Sequence, residues 1–186
     1  MRKRKLSIDK KVLVYQKTNG ICIICKKAVN DKEKWNMEHY IPRAIYKWIP
    51  SPTLKQSIES LDNLFIVHQK CNHHKNADLP TITAIQHLSI SDTLKTALIQ
   101  LYQSIEKEIS AYNNIKQNIL LSQRSRCFFC HRKIHLSNST LRRKDNQKQR
   151  VADNAMCLCF SCSVKAGRPS YKSKMVKERS KQQKCT

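Results

Sequence analysis

Glycine is scarce in this chain, and long apolar runs are absent. Gly20 and Gly167 are the only glycines in 186 residues. Loops that bind nucleotide phosphates through backbone amides need several glycines close together, so the sequence excludes a P-loop and a Rossmann dinucleotide-binding loop. No run reaches the roughly twenty apolar residues of a membrane-spanning helix, and no hydrophobic signal core follows the basic residues 1–5. We therefore expect a cytoplasmic protein with no membrane partner.

Acidic residues are scarce as well. The chain has 13 Asp and Glu against 36 Lys and Arg, which gives a formal net charge of +23 at pH 7. Residues 123–186 contain 17 Lys and Arg against 3 acidic residues, a net charge of +14 in one third of the chain. A field this positive attracts phosphate-rich polyanions. The composition predicts a nucleic-acid partner, and it predicts that residues 170–186 form a flexible basic tail.

Cysteine, by contrast, is abundant: there are nine. A gap of two residues between paired ligands lets both side chains reach one tetrahedral zinc ion, and four such pairs occur. Pairing them in chain order predicts two structural zinc sites. The ligands of the first are Cys22, Cys25, His68 and Cys71, and those of the second are Cys127, Cys130, Cys159 and Cys162.

One stretch has a competing interpretation, because Cys127-Phe-Phe-Cys130-His131 also fits the attachment pattern of a c-type haem. That chemistry requires export, for which the sequence carries no signal. It would also leave Cys159 and Cys162 without partners, so zinc is favoured. Cys157 belongs to neither set of ligands, and we expect it to be a small core residue.

The pattern of apolar residues predicts how the chain is organised. A short helix is expected over residues 8–18, strands over 35–38 and 64–67, and a helix after His68. Apolar residues then recur at helical spacing, which predicts one long amphipathic helix over 90–121, opened by a capping pair of Ser89 and Asp92.

The second ligand pair of each half, the zinc knuckle at His68/Cys71 and at Cys159/Cys162, follows an asparagine at the same spacing. Asn63 precedes His68 by five residues and Cys71 by eight, and Asn154 precedes Cys159 and Cys162 by the same offsets. The two halves therefore read as copies of one zinc-bound unit, the second shortened. The predicted domains are a first module at 1–88, a connecting helix at 89–122, a second module at 123–169 and the tail at 170–186.

The first copy resembles the HNH nuclease family, whose ββα-metal unit is often framed by two zinc knuckles. The matching segments are Cys22-x-x-Cys25, Glu38-His39-Tyr40-Ile41-Pro42, Asn63-Leu64 and His68-x-x-Cys71-Asn72-His73-His74-Lys75. They cover about residues 10–80. Three features depart from the family pattern: Glu38 where Asp is commoner, His68 in place of a knuckle cysteine, and no Gly-Gly after the Ile-x-Pro step. The resemblance implies an α+β fold, with a ββα-metal unit and a degenerate second copy joined by the long helix.

The resemblance also implies roles for individual residues. His39 would be the general base, and Asn63 would hold its loop and ring in place. Glu38 and Asn72 would bind one catalytic divalent cation, Mg²⁺ in the simplest case, and Lys75 would contact a neighbouring phosphate.

The second copy lacks this chemistry. The segment Leu141-Arg-Arg-Lys-Asp145 occupies the place of the acid-His pair, and Ser163 stands where Asn72 stands in the first copy. We expect this half to bind DNA through Arg142, Arg143 and Lys144 without cutting it.

The leading hypothesis is therefore a metal-dependent HNH endonuclease that acts on double-stranded DNA. Cutting both strands needs two active sites, which makes a homodimer through the long helix plausible. The alternative is a non-catalytic zinc-ribbon protein that binds nucleic acid. A third option is an RNA-binding or RNA-cleaving protein, although an aromatic content of 6% provides few surfaces on which bases could stack.

Overall fold

The structure is a computed structural model that describes residues 8–30, 34–75 and 79–168. It is a small, mixed α+β fold, as the sequence predicted. The chain divides into two compact units: the first extends to Glu106 without Lys47–Ile49, and the second holds Lys47–Ile49 and the chain from Lys107. The predicted tail, residues 170–186, lies outside the described residues. Within the described part of the chain, no helix combines the length and apolar character needed to cross a membrane.

The first unit is built on a two-stranded sheet followed by a helix. Its elements are α1 (Ile8–Lys17), β1 (Trp35–His39), α2 (Ala44–Trp48), α3 (Pro52–Ile58), β2 (Leu64–His68), α4 (Gln69–Lys75), α5 (Ile82–Gln86) and α6 (Asp92–Ser104). The strands pair antiparallel, from Trp35 opposite His68 to His39 opposite Leu64. Helix α4 packs against both strands, and α1 packs against β2. The register places His39 at the end of β1.

The core of this unit forms around β2. Leu64, Phe65, Ile66 and Val67 are all at most 1% exposed. A continuous apolar run of this kind suits a strand that is covered on both faces. Burying each such side chain contributes roughly 1.5–3 kcal/mol. The buried cluster around β2 also contains apolar side chains from three helices: Val14 of α1, Ile85 of α5 and Leu98 of α6.

The second unit repeats this plan with fewer elements. It contains α7 (Glu106–Ser122), β3 (Ser139–Arg143), β4 (Ala155–Cys159) and α8 (Phe160–Ala166). β3 pairs antiparallel with β4, from Ser139 opposite Cys159 to Arg143 opposite Ala155, and α8 packs against both strands. A short 3₁₀ turn precedes the second strand of each unit, at Leu61–Asn63 and at Ala152–Asn154. The equal offsets in the sequence thus correspond to equal strand registers.

The prediction of one continuous helix over 90–121 is wrong. The structure has two helices, α6 and α7, separated at Ile105, whose backbone leaves helical geometry at φ −121° and ψ 19°. Ser104 Oγ donates to the carbonyl oxygen of Leu101 at 2.8 Å, a local bond of a kind that often bends helices. The capping residue is also different: Ser91, and not Ser89, accepts the amide of Leu94 at 3.4 Å.

Candidate metal centres and active site

The four predicted ligands in the first unit converge. The ligand atoms of Cys22, Cys25, His68 and Cys71 all lie within 4.8 Å of one another. Cys25 Sγ lies 3.3 Å from His68 Nδ1, and Cys71 Sγ lies 4.0 Å from the same nitrogen. Zinc–sulfur bonds of about 2.3 Å place neighbouring ligand atoms of a tetrahedral site roughly 3.5–4 Å apart. The cluster therefore has the donor set and the spacing to hold a zinc ion.

The orientation of the His68 ring supports this role. Nε2 lies 3.2 Å from the carbonyl oxygen of Ala28, which can only accept a hydrogen bond. Nε2 therefore carries the proton, and Nδ1 keeps its lone pair directed at the thiols. Histidines that bind metals usually donate their second ring nitrogen to an oxygen in this way. His68 is thus a suitable replacement for a knuckle cysteine.

The second predicted cluster also converges. The sulfur atoms of Cys127, Cys130, Cys159 and Cys162 lie within 4.8 Å of one another, with Cys130 and Cys159 at 3.6 Å. Four sulfur atoms in this spacing could hold a zinc ion, which favours zinc over the haem interpretation. Cys157 is fully buried, as expected of a core residue, and burial raises the pKa of its thiol to about 12.

Each cluster contains a backbone turn of the same type. The residue after the second cysteine, Lys26 in one unit and His131 in the other, has a positive φ of 61° and 58° respectively. Each donates its amide to the carbonyl of the first cysteine, at 2.9 and 3.0 Å. This turn brings two ligands together, and the knuckle at the end of the second strand supplies the other two.

His39 lies at the end of β1 beside an acidic residue that the sequence analysis missed. Its Nε2 lies 3.1 Å from Oε2 of Glu59, and its side chain is 13% exposed. Burial lowers the pKa of His39 to about 4, although the charge of Glu59 opposes this shift. The ring is therefore neutral at pH 7. A neutral ring that donates from Nε2 to a carboxylate keeps the lone pair on Nδ1.

Glu59 is itself held in place from its other oxygen. Oε1 accepts a hydrogen bond from the hydroxyl of Tyr46 at 2.6 Å. The same oxygen forms an ion pair with Nε of Arg43 at 2.8 Å. Burial opposes ionisation of Glu59, yet the hydrogen bond from Tyr46, the charge of Arg43 and the hydrogen bond from His39 keep its pKa below the ordinary value. Glu59 is therefore a fixed carboxylate that sets the tautomer and the orientation of the His39 ring.

Glu38 precedes His39 and has a cationic partner. Nζ of Lys75, on α4, lies 3.3 Å from Glu38 Oε1 and donates to the carbonyl oxygen of His39 at 3.0 Å. Lys75 therefore lies inside the site; its contact with phosphate stays a prediction. Asn72 is half-buried on α4, three residues before Lys75, so the two residues share one face of the helix.

Asn63 is fully buried and locks the loop that follows His39. Its Oδ1 accepts the amide of Ile41 at 2.7 Å, and its Nδ2 donates to the carbonyls of Ile41 and Ile58 at 2.9 and 2.8 Å. Asn154 makes the corresponding three bonds in the second unit, to Asp145 and Gln149. The Asn63 side chain therefore bonds to the backbone of the loop and not to the His39 ring.

The predicted DNA-binding residues of the second unit occupy positions that match the site in the first. Equal registers place Arg142 where Glu38 stands and Arg143 where His39 stands. Nε of Arg142 donates to Oγ of Ser163 at 3.1 Å. Nζ of Lys144 donates to the carbonyl of Asp153 at 2.9 Å and lies over the ring of Phe128.

Comparison with known proteins assigns no relative to this chain: no family model, no curated protein and no solved structure matches it.

Proposed function

We propose that the chain is a metal-dependent endonuclease of the HNH type that hydrolyses phosphodiester bonds in double-stranded DNA. The observation that carries the proposal is the His39 ring, neutral and held through Nε2 by the Glu59 carboxylate at the end of β1. Such a ring can accept a proton from water through Nδ1. The net charge of +23 supports a polyanionic substrate.

The chain's own residues have distinct tasks in the reaction. His39 Nδ1 accepts a proton from the attacking water as the water oxygen bonds to phosphorus. The bond from phosphorus to the leaving 3′ oxygen breaks, and solvent protonates that oxygen. Glu59 stabilises the imidazolium that forms, and Asn63 holds the loop so that the ring keeps its position. Cutting both strands calls for a second copy of this site, which a homodimer would provide.

Glu38 and Asn72 are the residues that would hold the catalytic cation, Mg²⁺ in this proposal. A carboxylate and an amide are hard oxygen donors of the kind that Mg²⁺ prefers. The contact between Arg142 and Ser163 supports this pairing, because these residues occupy the corresponding positions in the second unit. When bound, the ion stabilises charge that develops on the leaving oxygen. It has to compete with the ammonium of Lys75 for the Glu38 carboxylate.

The direct test is cleavage of supercoiled plasmid by the full chain. We expect nicked and linear products with Mg²⁺ and none in buffer without a divalent cation. EDTA should stop the reaction and added Mg²⁺ should restore it. Zinc content measured after the EDTA step is the control, because it separates loss of the catalytic ion from loss of the structural ions. Zinc-loaded protein that binds plasmid but never cuts it would support the zinc-ribbon alternative instead.

The pH dependence of cleavage should reflect the environment of His39. With a pKa of about 4 in the free protein, the neutral base predominates at every pH above that value. We therefore expect kcat/KM to stay level between pH 8 and pH 6, because kcat/KM reports the free enzyme. An unperturbed histidine, with a pKa of about 6.5, would lose roughly three quarters of its neutral form at pH 6.

Glu59→Gln provides the matched variant for this profile. Loss of the carboxylate removes a charge that raises the pKa of His39, so the level region should persist while the rate falls throughout it. An acid limb centred near pH 6.5 in the parental protein would contradict the lowered pKa of His39.

A further inference from the structure

The second unit contains a cavity of about 400 Å³. It lies where the end of α7, the backbone turn of the second cluster and the 3₁₀ turn before β4 come together. Ser122, Phe128 and Ala152 line it, one from each of these three segments. All of its lining residues belong to the second unit, so the cavity is formed within this unit.

The residue of the first unit that corresponds to Ser122 is Lys17. Lys17 precedes Cys22 by five residues, and Ser122 precedes Cys127 by five. The backbone hydrogen bonds of the two helix ends and of the turns that follow them match residue for residue. The two units can therefore be compared position by position around the cavity.

Lys17 fills the corresponding space in the first unit. Its Nζ donates to the carbonyl oxygens of Leu61 and Asp62 at 2.6 and 3.1 Å. The same nitrogen lies 4.1 Å from the centroid of the Phe65 ring. The side chain of Ser122 ends at its γ oxygen, so the exchange of lysine for serine leaves this space open in the second unit.

The second unit keeps the two carbonyl groups at its own 3₁₀ turn, Ala152–Asn154. The carbonyl of Asp153 accepts a hydrogen bond from Nζ of Lys144 at 2.9 Å. Within the described residues, the carbonyl of Ala152 accepts only the amide of Ala155. A carbonyl oxygen has two lone pairs. Ala152 can therefore accept a second donor at the place that the lysine nitrogen takes in the first unit.

The cavity also has an aromatic wall and cationic neighbours. Phe128 lines it where the first unit has Ile23. Lys144 and the exposed Arg126 line it as well, and neither forms an ion pair within the described residues. Asp153 is the one acidic residue of the lining. An aromatic surface beside an excess of cations suits a nucleotide, whose base can lie against the ring while its phosphate contacts a cation.

We propose that this cavity binds one unpaired nucleotide of a DNA strand, with a base that carries an exocyclic amino group. The amino group donates to the carbonyl of Ala152, the base lies against Phe128, and the flanking phosphate contacts Arg126. Adenine, cytosine and guanine carry such an amino group, whereas thymine does not. A base inside an intact duplex cannot enter a pocket of this kind without leaving the stack. The inference takes DNA as the ligand from the proposed function but does not depend on cleavage.

The experiment compares how the full chain binds two single strands, oligo(dC) and oligo(dT), in buffer without a divalent cation. Strands of about twelve nucleotides are long enough to span one site. The two strands carry the same number of phosphates, and their bases differ chiefly in the amino group of cytosine. We expect oligo(dC) to bind about three- to tenfold more tightly, which is the contribution of one hydrogen bond. The salt dependence should be the same for both strands, because they offer equal phosphate contacts.

Ser122→Lys is the decisive variant, because charge and shape predict opposite results for it. The lysine adds a positive charge but fills the cavity as Lys17 does in the first unit. We expect the preference for oligo(dC) to disappear despite the added charge. Ser137→Lys is the matched control: it adds the same charge at an exposed position of the same unit that does not line the cavity, and it should keep the preference.

Phe128→Ile tests the aromatic wall with the residue that the first unit has at this position. It should weaken binding of oligo(dC) about fivefold or more, because base–aromatic stacking is lost, and it should leave the salt dependence unchanged. Zinc content and thermal melting confirm that each variant is folded.

Equal affinity of the parental chain for the two strands, or no binding of either, would overturn the proposal. A preference for oligo(dC) that persists in Ser122→Lys would also overturn the cavity as the site. Competition by free deoxycytidine monophosphate at the concentration at which the strand binds would overturn a DNA strand as the occupant. Plasmid cleavage tests the proposed nuclease separately, so either proposal can fail while the other stands.

Discussion

His39→Ala is expected to abolish plasmid cleavage while leaving zinc content and DNA affinity nearly unchanged. General bases typically contribute about 10²–10⁴-fold to a rate, so the loss should be 100-fold or more. The fold should tolerate the change, because Glu59 keeps its bonds to Tyr46 and Arg43 when the imidazole is removed. Single-turnover cleavage at saturating protein measures the chemical step, and titration of labelled duplex measures binding.

The control for this experiment is His87→Ala, which removes an exposed histidine that caps α5 in the same unit. It should cut at the parental rate. Asn63→Ala should be slow because the loop after His39 loses its anchor, and the double variant should be little slower than the slower single variant. Parental activity in His39→Ala would refute the assignment. Loss of activity on changing His131 or His135 instead would move the active site to the second unit.

Loss of one ligand from either cluster should unfold the unit that contains it. Structural zinc sites contribute about 10–16 kcal/mol of binding free energy, which a unit this small cannot replace by packing. Cys71→Ser should lower the bound zinc from two ions per chain to one and make the first unit sensitive to protease. Cys159→Ser should do the same to the second unit. Metal analysis and limited proteolysis with fragment mapping measure both effects.

Cys157→Ala is the matched control for these two variants, because it removes a buried cysteine that is not a ligand. It should keep two zinc ions. Folded, protease-resistant Cys159→Ser protein with full zinc content would contradict the four-sulfur cluster. Folded parental protein without zinc would contradict both clusters.

Local spacing explains why the metal clusters were predictable. Each ligand pair spans only four residues, and a turn of four residues constrains where two side chains point. The bounds of β1 and β2 were predicted to within one residue for a similar reason. A short continuous apolar run such as Leu64–Val67 is typical of a buried strand. The role of Asn63 in holding the loop could be anticipated only through the resemblance.

Glu59 was missed because its partnership with His39 spans 20 residues, a separation for which no sequence rule exists. The one available signal was the scarcity of acidic residues, since Glu59 is one of only 13 in the chain. The break at Ile105 was missed because the apolar period continues through it. Leu98 belongs to the core of the first unit, whereas Ile109 and Tyr112 are buried in helix α7, which runs into the second.

His68 makes the two metal clusters unequal in formal charge. With Zn²⁺ bound, three thiolates and one neutral imidazole sum to −1, whereas the four thiolates of the second cluster sum to −2. The first unit therefore places one less negative charge at the start of β1, where Trp35 pairs with His68, at the other end of the strand from His39. If a polyanion binds this unit as proposed, the smaller negative charge of its cluster weakens the repulsion that the polyanion meets. The same exchange leaves the first cluster with three sulfur ligands where the second has four.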